Sequence, residues 1–378
     1  MKKLLFIFGT RPEAIKLAPL VLESKKYPNK IKAEVCLTGQ HKEMLYSVLD
    51  LFDIKADHNL EIMKKGQDLY DISAEVLLKT KDIIRNAAPD IVVVHGDTSS
   101  ASMAALSCFY SKIPVMHVEA GLRTGDMHNP FPEEFNRRLI GMIAAHHFAP
   151  TVSSESNLLQ EGVQKNAITI TGNTVIDALH FVKEKIENNE WFRQKISQES
   201  LKSFEHFLDS KFILITGHRR ENFGKGFEQI ASAIALLAEK NPNINFVYPV
   251  HLNPNVQEPI NRILGGKSNI HLLPPQNYLE FITLMKYCFL IITDSGGVQE
   301  EAPSLGKPVL VMRNTTERPE ALEAGAVKLV GTNIEKIFEE TQRLIDDESE
   351  YMKMSHVINP YGDGKASKRI ISKILNFT

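Results

Sequence analysis

The chain has 378 residues, 43% hydrophobic and 24% charged, a globular balance at a length that exceeds what one core usually serves, so two domains are expected. Its 44 basic and 46 acidic side chains leave a formal charge of −2, without the basic excess that marks a nucleic-acid or anionic-membrane binder. Cys36, Cys108 and Cys288 are far apart, form no CxxC, and read as small buried hydrophobes in a reducing compartment.

Met1-Lys2-Lys3 followed by Leu4–Phe8 imitates the start of a signal peptide. The apolar run stops at Gly9-Thr10-Arg11, too short for a secretory core, and no small-residue cleavage site follows. No stretch approaches the roughly 18 apolar residues of a membrane span. A soluble cytoplasmic protein is the expectation.

Short apolar runs then alternate with helical periods. Candidate strands fall at 3–8, 33–37, 91–95, 115–118, 147–148 and 167–170, and again at 212–216, 245–250, 270–273, 289–293, 309–312 and 327–330. Runs this short, rich in Val, Ile and Phe and separated by helices, predict parallel strands buried on both faces. Two successive series predict an α/β protein with two doubly wound sheets, and a closed eight-fold barrel is the structural rival. After Gly172-Asn173-Thr174 a charged helical stretch, 175–207, replaces the strand–helix beat and marks the best boundary. The turn cluster at 359–364 precedes a last helix, in which Ile370, Ile371, Ile374 and Leu375 recur at helical spacing.

In open parallel sheets, ligands bind beyond the carboxyl ends of the strands. After the first strand, Gly9 makes a turn, and Thr10 with Glu13 fits a capping box with Pro12 in the first helical turn. Arg11 and Lys16 then flank a helix N-terminus suited to phosphate, or are merely surface cations of a well-capped helix. His95-Gly96-Asp97-Thr98 follows the third strand and His117-Val118-Glu119 the fourth, each pairing a histidine and a carboxylate on one face of an extended segment. Glu133-Glu134 comes next, with Asn136-Arg137-Arg138 beyond. Acidic groups converging at strand ends suit proton transfer, because neighbouring like charges raise carboxylate pKa values. The plainer reading is helix capping by Asp97 and an ion pair from Glu119; a divalent metal on the two His–carboxylate pairs is a third, opposed by the flanking arginines.

In the second series, Gly217-His218-Arg219-Arg220-Glu221 follows a strand and suits a diphosphate, with His218 able to protonate a leaving oxygen. Capping and surface pairing beside Glu221 is the plainer alternative for the arginines. His251 closes the next strand and reads as either a site or a core histidine. The sharpest signal is Asp294-Ser295-Gly296-Gly297, where a strand enters a helix and unhindered backbone N–H groups are presented to an anion. Glu301, one turn on, suits ribose hydroxyls, and Arg313 to Arg318 add anion-binding capacity. A purely structural Gly-Gly turn is the alternative. Neither the Gly-x-Gly-x-x-Gly fingerprint nor a P-loop is present. The residues thus point to a substrate with phosphate at one end and a proton-transfer centre at the other.

Taken together, 9–16, 38–41, 95–98, 117–124, 132–137, 172–177, 217–221, 294–306, 315–320 and 359–364 resemble the bacterial non-hydrolysing UDP-N-acetylglucosamine 2-epimerases across essentially the whole chain. The resemblance implies two Rossmann-like domains facing a central cleft, as in B-type glycosyltransferases. The last helix would return to the first domain, dividing the chain into 1–172 plus 362–378 and a UDP-binding 173–361. It implies Asp97, Glu119 and Glu133 as catalytic carboxylates and His218 as the catalytic histidine. Arg11, Lys16, Ser295, Gly296, Gly297, Glu301 and Arg318 would hold the UDP moiety. Gln40, Arg219 and His251 would belong to the region where a second substrate molecule acts as activator, while Glu43 and Gly66 stand where some relatives have glutamine and arginine. A homodimer and an elimination–readdition mechanism without cofactor or metal are also implied, in the service of surface polysaccharide synthesis. The rivals are a hydrolysing epimerase or B-type glycosyltransferase, and a non-catalytic nucleotide-sugar-binding regulator.

Overall fold

The computed structural model describes the chain except residues 40, 41, 65, 189, 191, 193–195, 197–202, 205, 206 and 378, and the side chains of 42–44. The chain divides into two compact units, Met1–Phe181 with Tyr361–Thr378, and Val182–Pro360. The outgoing division falls inside helix Thr174–Glu187, later than Gly172, because the first half of this helix packs on the first unit, where Phe181 stacks on Phe52 at 4.9 Å between ring centroids. The returning helix Ala366–Leu375 buries Ile370, Ile371 and Ile374 and packs on helix Arg11–Ser24. Asp177 receives its first N–H groups, from Ala366 at 3.1 Å and Ser367 at 2.8 Å.

The first unit holds β1 (Lys2–Phe8), β2 (Ile31–Leu37), β3 (His58–Asn59), β4 (Ile91–His95), β5 (Val115–Val118), β6 (His146–Ala149) and β7 (Ile168–Ile170). They form one parallel sheet in the order β3-β2-β1-β4-β5-β6-β7. The second unit holds β8 (Phe212–Thr216), β9 (Asn245–Pro249), β10 (Ile270–Leu273), β11 (Leu290–Thr293), β12 (Val309–Val311) and β13 (Val327–Leu329), parallel in the order β10-β9-β8-β11-β12-β13. Two open doubly wound sheets replace the barrel alternative. In each, the order reverses at one point, between β1 and β4 and between β8 and β11, and there the connections leave to opposite faces and open a crevice.

The buried strands explain the periodicity. Leu4, Leu5, Phe6, Ile7 and Phe8 are each at most 1% exposed, so β1 is covered on both faces and shows no alternation. Sequence periodicity did not reveal β3, whose two residues are polar and sit at the sheet edge. The expected helical stretch 175–207 begins as helix Thr174–Glu187, and among the described residues beyond it Glu190, Phe192, Ser203 and Phe204 are also helical. Phe204 and Phe207 are fully buried, and Phe207 meets the Phe212 ring at 5.4 Å. These two phenylalanines, beyond the charged part of the stretch, are core residues. The three cysteines are buried thiols, and burial pushes each up to about 12. None of the described helices is long and apolar enough to cross a membrane.

Candidate active site

At the β1/β4 switch point the capping box forms as the spacing predicts. Thr10 caps helix Arg11–Ser24, a contact worth about 1 kcal/mol in helices generally. Glu13 Oε2 accepts from the Gly9 and Thr10 N–H groups at 3.0 and 2.8 Å, and its Oε1 accepts from Thr98 Oγ1 at 2.8 Å. One buried carboxylate therefore clamps the turn after β1 to the turn after β4. Arg11, Lys16, His95, Asp97 and Glu119 line a cavity of about 510 Å³ above this clamp.

Glu119 follows β5 with φ at +62°, a left-handed backbone that is uncommon for a residue with a side chain. Its Oε2 accepts from Lys16 Nζ and, at 2.7 Å, from Asn173 Nδ2, with His95 Nε2 3.7 Å away. Burial would raise the Glu119 pKa, but Lys16 and His95 beside it hold the carboxyl well below the usual carboxylate range. Asp97 pairs with Arg137, through Nε at 2.9 Å and Nη2 at 2.7 Å, while Asn136 Nδ2 donates to the Asp97 carbonyl at 2.8 Å. His117 instead turns to the Gly96 carbonyl at 2.7 Å, and burial lowers its pKa to about 3. The His–carboxylate pairs thus do not converge on one point, and among the described residues no group of three or more His, Cys, Asp or Glu could hold a metal ion.

At the β8/β11 switch point the organiser is Asp294, fully buried at the end of β11. It accepts from the backbone N–H groups of His218 (3.0 Å) and Arg219 (2.9 Å) and from Asn222 Nδ2 (3.2 Å). This fixes the loop after β8 beside the Ser-Gly-Gly turn. The His218 ring stacks on His251 at 5.8 Å, and its Nδ1 lies 3.5 Å from Asp294 Oδ1. Burial, with Arg219 and His251 nearby, lowers the His218 pKa despite Asp294. Ser295 precedes the short helix Gly296–Glu301. A Cβ added at Gly296 would lie 3.6 Å from Arg219 Nη2 and 3.7 Å from Arg318 Nη2, so two guanidinium groups flank that glycine. Arg318 is braced by Glu300 through its Nε, and Glu301 accepts from Tyr278 Oη at 2.7 Å.

The chain that carries these two switch-point sites is similar to known proteins over nearly its whole length. A family model described as UDP-N-acetylglucosamine 2-epimerase matches residues 23–375. The chain is 55% identical over 377 residues to a UDP-N-acetylglucosamine 2-epimerase of Campylobacter jejuni, covering 99% of this chain and 98% of that one. The chain belongs to the UDP-N-acetylglucosamine 2-epimerase family. Among solved structures, the Neisseria meningitidis UDP-GlcNAc 2-epimerase bound to UDP-GlcNAc is 50% identical, with a TM-score of 0.89 over 99% of this chain and all (100%) of that one. The Staphylococcus aureus MnaA–UDP co-structure is 43% identical, with a TM-score of 0.86 over 99% and 96% of the two chains. The expected architecture of two Rossmann-like α/β units is the epimerase fold, and the protein is an isomerase.

Within this epimerase the remaining sequence candidates fall unevenly. Glu133 opens helix Glu133–Ile143 and does not line the cavity; its Oε2 is buried with no hydrogen-bond partner among the described residues. Its neighbour Glu134 is fully buried and binds Arg137 and Arg138, so the adjacent glutamates have separate surroundings. Gln40 lies outside the described residues, as does the Glu43 side chain. Gly66 is exposed with φ at +80° and open space around it. Sequence reasoning singled out neither Arg137 as the Asp97 partner nor Asp294 and Asn173 as organisers. Asp294 had a signal, a carboxylate ending a buried apolar strand; Asn173 had none beyond its turn composition.

Proposed function

We propose that this epimerase interconverts UDP-N-acetylglucosamine and UDP-N-acetylmannosamine by eliminating UDP and adding it back to 2-acetamidoglucal. The C2 proton is not acidic while C1 keeps its bond to the diphosphate. As the C1–O bond breaks, the electron pair leaves with UDP and positive charge grows at C1, which acidifies C2–H. A carboxylate takes the proton, and the C–H electrons become the C1–C2 double bond. Delivery of a proton to the opposite face of C2, with return of the UDP oxygen to C1, gives the other epimer. No redox step is needed, and both fragments must be kept from water until readdition.

The observation that carries this reading is that Glu119, held by Lys16 and Asn173, lines one cavity with Asp97. Asp97, Glu119 and Glu133 serve proton transfer and offset developing positive charge. His218, neutral near pH 7 by its lowered pKa, supports departure of the diphosphate together with Arg11. Ser295, Gly296, Gly297 and Arg318 cradle the phosphates through backbone N–H groups and a guanidinium, Glu301 takes the ribose, and Lys16 adds positive charge near the diphosphate besides holding Glu119. The resemblance to the bacterial enzymes extends the reading to a cytoplasmic homodimer supplying N-acetylmannosamine units for surface polysaccharides. A second UDP-N-acetylglucosamine would act as activator through Gln40, Arg219 and His251.

The test is incubation with UDP-N-acetylglucosamine in heavy water, followed by proton NMR. Deuterium at C2 and a new UDP-N-acetylmannosamine signal are expected without added cofactor. Free N-acetylmannosamine as the sole product would instead assign a hydrolysing enzyme, and retention of protium at C2 would sink the mechanism.

A further inference from the structure

Outside the residues already given roles, a buried asparagine bonds the candidate catalytic carboxylate Glu119. Asn173 is 3% exposed and sits where the chain leaves β7 for helix Thr174–Glu187. Its Oδ1 accepts from the Val175 N–H at 3.0 Å, which fixes the amide so that Nδ2 faces Glu119 and donates to Oε2 at 2.7 Å. Its own backbone N–H donates to the Tyr361 carbonyl at 2.6 Å. The neighbouring Gly172 has φ at +86°, and a Cβ there would lie 3.2 Å from Gly362 Cα and from Tyr361 O, so the segment has little room to shift.

We propose that Asn173 is a positioning residue for Glu119, aiming its other oxygen at the sugar. Lys16 and Asn173 both hold Oε2, so neither occupies Oε1, and Glu119 lines the cavity. A non-glycine residue held at φ +62° persists only where its surroundings over-determine it. The Asn173 bond, anchored on Val175 and Tyr361, supplies that constraint together with Lys16. An amide N–H can only donate, so it favours the carboxylate over the carboxylic acid. The other groups near Glu119 are Lys16 and His95, with Asp97 in the same cavity. The inference rests on the proposed epimerisation.

Two substitutions separate positioning from mere support of the fold. Asn173→Asp keeps an acceptor for the Val175 N–H and replaces only the donor facing Glu119, setting two carboxylates against each other. Asn173→Ala removes both. With wild-type C2 exchange in heavy water as the reference for the reaction itself, kcat and KM are measured across the whole range in which the protein stays folded, down to the acidic limb below the ordinary carboxylate range, with UDP binding and circular dichroism as checks on folding. Asn173→Asp should lower kcat at pH 7 by tenfold or more, with KM within about threefold, and move the acidic limb of the pH profile up by about one unit or more. Asn173→Ala should lower kcat by about tenfold, with a smaller upward shift of the same limb. Wild-type kcat and an unmoved acidic limb in Asn173→Asp would overturn the proposal while leaving the epimerase reading intact. Should Asn173→Asp fail to fold, Asn173→Ala decides: an equal loss at every pH, with the limb in place, overturns it. Absence of C2 exchange in the wild-type enzyme would instead count against the reaction.

Discussion

Lys16 on the first helix and Glu119 directly after β5 meet as an ion pair in which the two side chains are 13% and 9% exposed. A charge pair this dry is a poor source of net stability, yet removing one partner strands the other. Lys16→Met should therefore cost on the order of 3 kcal/mol in a urea unfolding experiment. The depressed Glu119 pKa adds a pH signature. Its contribution is fully present above the ordinary carboxylate range and fades only as pH falls through the depressed value. The variant lacks this pH-dependent contribution and wild type loses it in acid, so the stability gap between them should narrow towards low pH. A gap independent of pH would argue against an ionised Glu119.

Asp97→Asn, Glu119→Gln and Glu133→Gln should each lower turnover by about 10²-fold or more while UDP still binds. Each keeps the side-chain size and removes the exchangeable carboxyl proton. Single-turnover rates and isothermal titration with UDP check the pair of outcomes. Wild-type turnover in any of the three removes that residue from proton transfer.

Arg219 brings a guanidinium to Gly296, and its buried Nε has no hydrogen-bond partner among the described residues. Arg219→Ala should weaken UDP binding by roughly tenfold, the scale of one charge-assisted hydrogen bond, and leave the melting temperature within a degree or two. An unchanged Kd for UDP would place this arginine with the activator alone.

Gly121 has φ at +92°, and a Cβ there would lie 2.2 Å from the Ser154 carbonyl oxygen, a backbone atom that cannot move aside cheaply. Gly121→Ala should destabilise the protein by about 2 kcal/mol or more, seen as a lower urea midpoint. The neighbouring Glu119 turn would be disturbed with it. Full stability would mean that the loop after β5 is looser than its packing indicates.

Much of this was written locally. Strand positions and cap residues follow from short-range sterics and hydrogen bonding, so the Thr10–Glu13 box and the buried β1 could be read directly from neighbouring residues. Ser295, Gly296 and Gly297 were legible for the same reason, since a glycine turn between a strand and a helix is a local event.

The sequence by itself determined two runs of buried parallel strands, the turns that end them, and the residue types available at those turns. Only the tertiary structure decided which turns become neighbours, because the strand order in each sheet is set by packing between distant segments. That order puts Lys16 and Asn173 on one oxygen of Glu119, gives Asp97 to Arg137, buries Asp294 under His218, and keeps Glu133 off the cavity wall. Composition and spacing carry no record of such pairings, since each joins side chains whose separation in the chain says nothing of their separation in space.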